Sequence, residues 1–162
     1  MRTRSLLAGA ALLAFASPAW AQSTPVSFSP EFQTSLEEEL GVREGAVLRT
    51  AVADAIAREL SHRGIAADSA TIDVTIVDAE PNRPTMRQLI DEPSLDFSSI
   101  SIGGAELRAV VRSANGTATE VTHRRYNHSL ADLSGAATTW TEARRAIRQF
   151  AVKVADAYVA SR

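Results

Sequence analysis

His123 and His128 are the first residues to ask about chemistry, because imidazole serves as a general base and as a metal ligand near neutral pH. They bound the segment His123-Arg124-Arg125-Tyr126-Asn127-His128. On a continuous strand, positions separated by an odd number of residues point to opposite faces, so the two rings are not expected to share a metal. The alternation of the surrounding residues puts His123 on the core side near Leu107, where a hydrogen-bonded core histidine is the simpler reading. No carboxylate stands at a fixed spacing from it to complete a general-base pair. Serine and threonine are plentiful, but neither G-x-S-x-G nor S-x-x-K occurs. Asp73, Asp78, Glu80, Asp91, Glu92 and Asp96 gather carboxylates along one stretch without the loop spacing of a calcium site. Gly103-Gly104 lies between two strand-like runs, so it does not read as a phosphate loop. No cofactor motif and no metal motif emerges.

The segment best suited to recognition is Pro81-Asn82-Arg83-Pro84-Thr85-Met86-Arg87-Gln88-Leu89. Prolines preset its backbone, and Asn82, Arg83, Arg87 and Gln88 carry the donors that suit a carboxylate, a phosphate or a partner's main chain. These four are the candidate binding residues. The competing reading is a structural lid, with Arg83 or Arg87 paired to Asp78, Glu80 or Asp91.

The elements that must position this loop follow from periodicity. Val26-Ser27-Phe28 reads as a short strand, and Phe32 to Leu40 carries the acidic run Glu37-Glu38-Glu39 on a solvated helical turn. Glu44 to Arg63 is a helix with apolar positions at Val47, Leu48, Ala51, Val52, Ala55, Ile56 and Leu60, closed by Gly64 as its left-handed stop. Thr71 to Val77 alternates as a half-buried strand. Residues 78–98 are irregular, with Thr85 placed to cap one turn from Met86 to Ile90. Ser99 to His128 reads as a hairpin turning at Asn115-Gly116. The apolar phase flips at Gly103-Gly104, as at a β-bulge. A three-residue loop, Ala114-Asn115-Gly116, pairs Ala109 with Val121 and Glu106 with Arg124, which keeps apolar residues together and opposes unlike charges. Thr139 to Ala160 is a second helix, with Thr139-x-x-Glu142 as its capping box and a stripe of Ala143, Ile147, Phe150, Val154 and Tyr158. The expected fold is α+β: a mostly antiparallel sheet of about four strands with two amphipathic helices on one face.

Residues 1–21 have the three parts of a secretory signal: Arg2 and Arg4, the apolar run Leu6 to Ala16, and Ala19-Trp20-Ala21 before the expected mature start at Gln22. Residues 22–162 are then one domain. The run is short for a membrane span, which needs about 20 apolar residues, so no span is expected after cleavage. The chain has no cysteine, which excludes disulfides, thiol chemistry and a lipid anchor on an N-terminal cysteine. The style of the signal and the lack of disulfides point to a periplasm. Loss of Arg2 and Arg4 takes the formal charge from −2 to −4, and a mildly acidic surface argues against nucleic-acid binding. The arginines read as scattered along the chain rather than clustered.

Pro81-Asn82-Arg83-Pro84-Thr85 with Gln88-Leu89, Ser101-Ile102-Gly103-Gly104-Ala105, and the helix start from Trp140 to Phe150 resemble a group of small uncharacterised exported proteins of Gram-negative bacteria. The resemblance covers most of residues 26–160 and implies a periplasmic domain, but no activity and no site residue. The function expected from the sequence is a non-enzymatic binding module of the cell envelope, taking an envelope protein or a small anionic ligand. The alternatives are a small periplasmic hydrolase using polar residues of the hairpin and the 78–98 loop, and a structural homo-oligomer.

Overall fold

The computed structural model describes residues 24–66, 70–132 and 137–161. The signal segment and Gln22 lie outside them. The element order is β1 (Val26–Phe28), α1 (Pro30–Ser35), a π-helical turn (Leu36–Leu40), α2 (Val42–His62), β2 (Ala70–Glu80), α3 (Met86–Asp91), β3 (Gly104–Ser113), β4 (Ala118–Tyr126), a short 3-10 turn (Leu130–Asp132) and α4 (Thr141–Ala160). The sheet runs β1-β2-β3-β4, with β1 parallel to β2 and the other pairs antiparallel. Helices α2 and α4 pack together, and α4 lies over β3 and β4. This is the α+β arrangement that the hydrophobic periodicity implies.

The core forms because both helices turn one apolar stripe to the sheet. Leu48, Val52, Ala55, Ile56 and Leu60 of α2 and Ala143, Ile147, Phe150, Val154 and Tyr158 of α4 are buried against Ile72, Val74, Ile76, Leu107, Ala109 and Val111. Val47, by contrast, stays largely exposed. Helix α2 ends in a Schellman motif: Gly64 is left-handed (φ 67°), its N–H donates to the Ser61 carbonyl, and the Ile65 N–H reaches back to Leu60.

The hairpin has the three-residue register. Ala109 faces Val121 and Glu106 faces Arg124, the Ser113 N–H donates to Thr117, and Gly116 is left-handed. Three other expectations are corrected. Strand β3 begins at Gly104, so Ile100 and Ile102 precede it and are exposed. The ladder irregularity lies in β2 between Ile76 and Asp78, opposite β3, rather than at the paired glycines. It lets β2 continue to Glu80 while turning Asp78 to the open sheet face beside Glu106. Helix α4 begins at Thr141 with no side-chain cap from its own sequence. Thr139 lies outside the helix, and the Glu142 side chain is buried on Arg125 and Arg145 instead of closing a capping box.

Candidate functional site: a pinned strap at one end of the sheet

Residues 81–103 form a strap from the end of β2 to the start of β3, with α3 as its one regular piece. Asn82, with 0 % of its surface exposed, is its main anchor. Its backbone N–H donates to the Thr139 carbonyl (2.7 Å), and its carbonyl accepts from the Ser101 N–H (3.0 Å). Its side-chain Nδ2 donates to the Ser101 carbonyl (3.2 Å). Its Oδ1 accepts from the Glu142 N–H (2.8 Å). That N–H belongs to the first turn of α4, whose donors have no partner within the helix. Asn82 thus serves α4 as the N-cap that Trp140 cannot supply.

Several other polar residues bind the strap to its surroundings or to itself. The Arg83 Nε donates to the Ala137 carbonyl (2.6 Å) and its Nη1 to the Phe97 carbonyl (3.0 Å). Thr85 and Gln88 form a reciprocal capping box that starts α3. Arg87 pairs with Asp91 one turn on. The Asp96 carboxylate accepts from the Ser98 hydroxyl and from the Ser98 and Ser99 N–H groups, which holds its pKa below the usual aspartate value. Asn82, Arg83, Arg87 and Gln88 are therefore brought together by the strap, but each has an internal partner: Asn82 and Arg83 tie it to its surroundings, and Gln88 and Arg87 order α3. The Arg87–Asp91 pair is one of the ion pairs that the lid reading allows for.

Among the residues the strap exposes, polar ones such as Arg87, Asp91 and Glu92 included, five are large and apolar. Phe97 (75 % exposed), Ile90 (73 %), Met86 (62 %), Ile100 (45 %) and Ile102 (41 %) all lie on it, and Val42 (63 %) opens the helix beside it. Met86 and Ile90 are four apart and share one face of α3. The strap meets the start of α2 closely: a Cβ at Gly41, the residue before Val42, would lie 3.3 Å from the Arg87 Cβ. Scattered exposed leucines or valines need no explanation, but several large apolar side chains on one fixed segment mark an interaction surface.

The remaining polar clusters have structural settings. His123 faces Leu107 across the ladder, and its Nε2 lies 3.2 Å from the Gln149 side-chain oxygen. Partial burial, then the charges of Lys153 and Arg125, lower its pKa below the usual histidine value. His128 is exposed beyond the end of β4. Among the described residues no group of three or more His, Asp or Glu is placed to hold a metal ion. Trp140 is buried, its Nε1 donating to Glu44 (2.6 Å). The open face of the sheet carries the pairs Arg112–Asp73, Arg108–Glu120 and Arg124–Glu106.

At the strap end of that face the Tyr126 hydroxyl donates to Asp78 (2.5 Å), and the Arg124 guanidinium sits 4.8 Å from the Tyr126 ring centre. Burial first, then the Asp78 carboxylate, pushes the phenol well above its ordinary pKa, and burial with the Asp78 charge raises Glu80. The unfolded chain releases the Tyr126 proton near pH ~10 while the folded chain keeps it. The contribution to stability is therefore full below that pH and is lost as the pH rises above it. Urea unfolding at pH ~9 and ~11 should show a steeper alkaline loss for the native chain than for Tyr126→Phe. Equal slopes would mean that this phenol titrates normally.

One grouping is invisible in the linear sequence. Arg58 of α2 and Arg144 and Arg148 of α4 converge on a groove between the two helices, over Ala51, Ala55 and Ala151. No ion pair to any of the three occurs among the described residues. The helical spacing within α4 signals Arg144 and Arg148 as neighbours, but Arg58 joins them only through the packing of α2 on α4.

No protein-family model matches the chain, and neither a curated protein nor a solved structure is similar to it. Among the described residues no helix is long and apolar enough to cross a membrane.

Proposed function

We propose that the chain is exported to the periplasm, is released by cleavage after Ala21, and acts there without catalysis as an interaction module for an envelope protein. The apolar side of the 81–103 strap is the contact surface. The observation that carries this reading is that Asn82 and Arg83 fasten the strap to its surroundings while Met86, Ile90 and Phe97, on the same fixed segment, face water. A segment ordered before it meets its partner loses little conformational entropy on binding. Exposed Phe, Ile and Met side chains are the type that anchors interface cores. The signal-like residues 1–21 and the resemblance to small exported proteins support the location.

The test is capture from a periplasmic extract of the host with residues 22–162 as bait, run beside the Ile90→Ser/Phe97→Ser double variant. Both side chains are exposed, so the unfolding temperature should hold. Retention of the partner should fall about tenfold or more, the scale of one interface anchor. The same partner held equally by both baits would contradict the assignment.

A second reading, a small anionic ligand, is favoured by the convergence of Arg58, Arg144 and Arg148 around the helix groove. It differs in leaving the strap variant fully active. The hydrolase alternative has less to stand on, because His123 has an amide and two cations around it rather than a carboxylate.

A further inference from the structure

The sheet has two edges of unequal character. Strand β1 is three residues long, too short to template much pairing. Strand β4 has nine residues, in unbroken register with β3 and without proline, glycine or bulge. Natural edges of that length are usually blunted by proline, a bulge or charged side chains, and of these β4 carries only the charges, on Glu120, Arg124 and Arg125.

The ladder fixes which main-chain groups of β4 are free. Ser113 donates to Thr117, so Thr119, Val121, His123 and Arg125 direct their N–H and C=O groups at β3, by the alternation of antiparallel pairs. Ala118, Glu120, Thr122, Arg124 and Tyr126 direct theirs outward, and among the described residues nothing else bonds to them. The same residues place their side chains on the open face.

We propose that a second copy of this chain pairs with that edge, β4 antiparallel to β4, about a two-fold axis through Thr122. The charge pattern selects the partner and the register. With the axis at Thr122, Glu120 lies opposite Arg124 of the second copy, and Arg124 opposite Glu120. An axis at Glu120 or at Arg124 sets like charges against each other, and axes at Val121 or His123 leave both charges facing uncharged residues. Within one chain Glu120 already pairs with Arg108 and Arg124 with Glu106, each at 3.2 Å, but all four side chains remain more than a third exposed. The dimer joins these pairs into one row of alternating sign, Glu106–Arg124–Glu120–Arg108, across the axis. A foreign extended peptide would use the same main-chain groups, but nothing on the edge selects one. The edge selects itself.

Light scattering and sedimentation of residues 22–162 test this with Glu120→Arg and Arg124→Glu. The native chain should be dimeric. Each reversal alone sets like charges together twice across the axis and should weaken self-association about tenfold. An equimolar mixture of the two variants restores opposite charges at both positions and should dimerise like the native chain. Glu120→Arg removes an exposed ion pair and Arg124→Glu removes an exposed ion pair and the contact of Arg124 with the Tyr126 ring, each a small surface loss, so both variants should fold. A second measurement does not depend on them. Thr122→Cys introduces the chain's single thiol. It would face its own copy with Cα atoms about 5.5 Å apart, within disulfide range. It should cross-link under mild oxidation much faster than Thr71→Cys on β2. A native chain that is monomeric at every concentration overturns the proposal. So does a dimer that neither reversal weakens, a mixture that fails to restore it, or a Thr71→Cys chain that cross-links as fast.

Discussion

Asn82→Ala will lower the unfolding free energy of the mature chain by about 3 kcal/mol, the largest loss expected from any single change in the strap. Alanine removes the acceptor of the Glu142 N–H and the donor to the Ser101 carbonyl. The part-buried bond to the Ser101 carbonyl contributes about 1 kcal/mol net, and the buried Glu142 N–H left without an acceptor costs about 1–3 kcal/mol. The loss falls on two elements together, because the amide caps α4 and closes the strap on itself. Asn82→Asp separates the two. It keeps an acceptor for Glu142 but sets a second acceptor against the Ser101 carbonyl, so it too is destabilising, through the strap rather than the helix. Urea titration followed by circular dichroism measures both variants. An Asn82→Ala midpoint within error of the native one would show that the amide is not a structural anchor and would return it to the candidate ligand contacts.

Gly104→Ala is expected to cost about 1–3 kcal/mol or to prevent folding, by overpacking against main chain. A Cβ at this position would lie 2.3 Å from the Arg125 carbonyl oxygen and 2.5 Å from the Tyr126 Cα. No rotamer change relieves a clash with backbone, so β3 and β4 must part where the strap enters the sheet. Gly116→Ala is the control. Its left-handed φ of 85° carries a conformational cost, but nothing lies within 4 Å of the added methyl. The penalty there should be about 1 kcal/mol. Thermal and urea unfolding of the two variants should rank Gly104→Ala as clearly worse. The reverse order would mean that the strand pair relaxes at no cost.

These two positions show where sequence reading stops. The hairpin register was legible because a cross-strand pair is a local test: Ala109 against Val121 and Glu106 against Arg124 discriminate between two loop lengths without knowledge of the rest of the fold. Both amphipathic helices were legible from their stripes, and the α3 turn from Thr85. Gly103-Gly104 has a recognisable composition, but its reason is tertiary: one glycine admits the Asn82 amide, whose atoms lie within 2.6 Å of a would-be Cβ, and the next admits β4. Donor count marked Asn82, Arg83, Arg87 and Gln88 for recognition, yet a sequence does not say whether a donor faces in or out. The same blindness hid the exposure of Ile90 and Phe97. The Thr139-x-x-Glu142 pattern misplaced the start of α4 because the Thr139 carbonyl is taken by Asn82, far away in the chain. The Arg58, Arg144 and Arg148 grouping depends on two helices meeting, which no spacing within one of them encodes.

The central claim is that the strap presents a preformed apolar contact surface, and its most direct test uses the absence of cysteine. A single cysteine at Phe97 or Ile90 can carry a photo-activated cross-linker on an otherwise unlabelled chain, with Thr71 and Asp54 as control positions on other surfaces. After irradiation in periplasmic extract, the account predicts one adduct of defined mass from positions 97 and 90 and none from the controls. The same adducts from all four positions, or none from the strap, would contradict it.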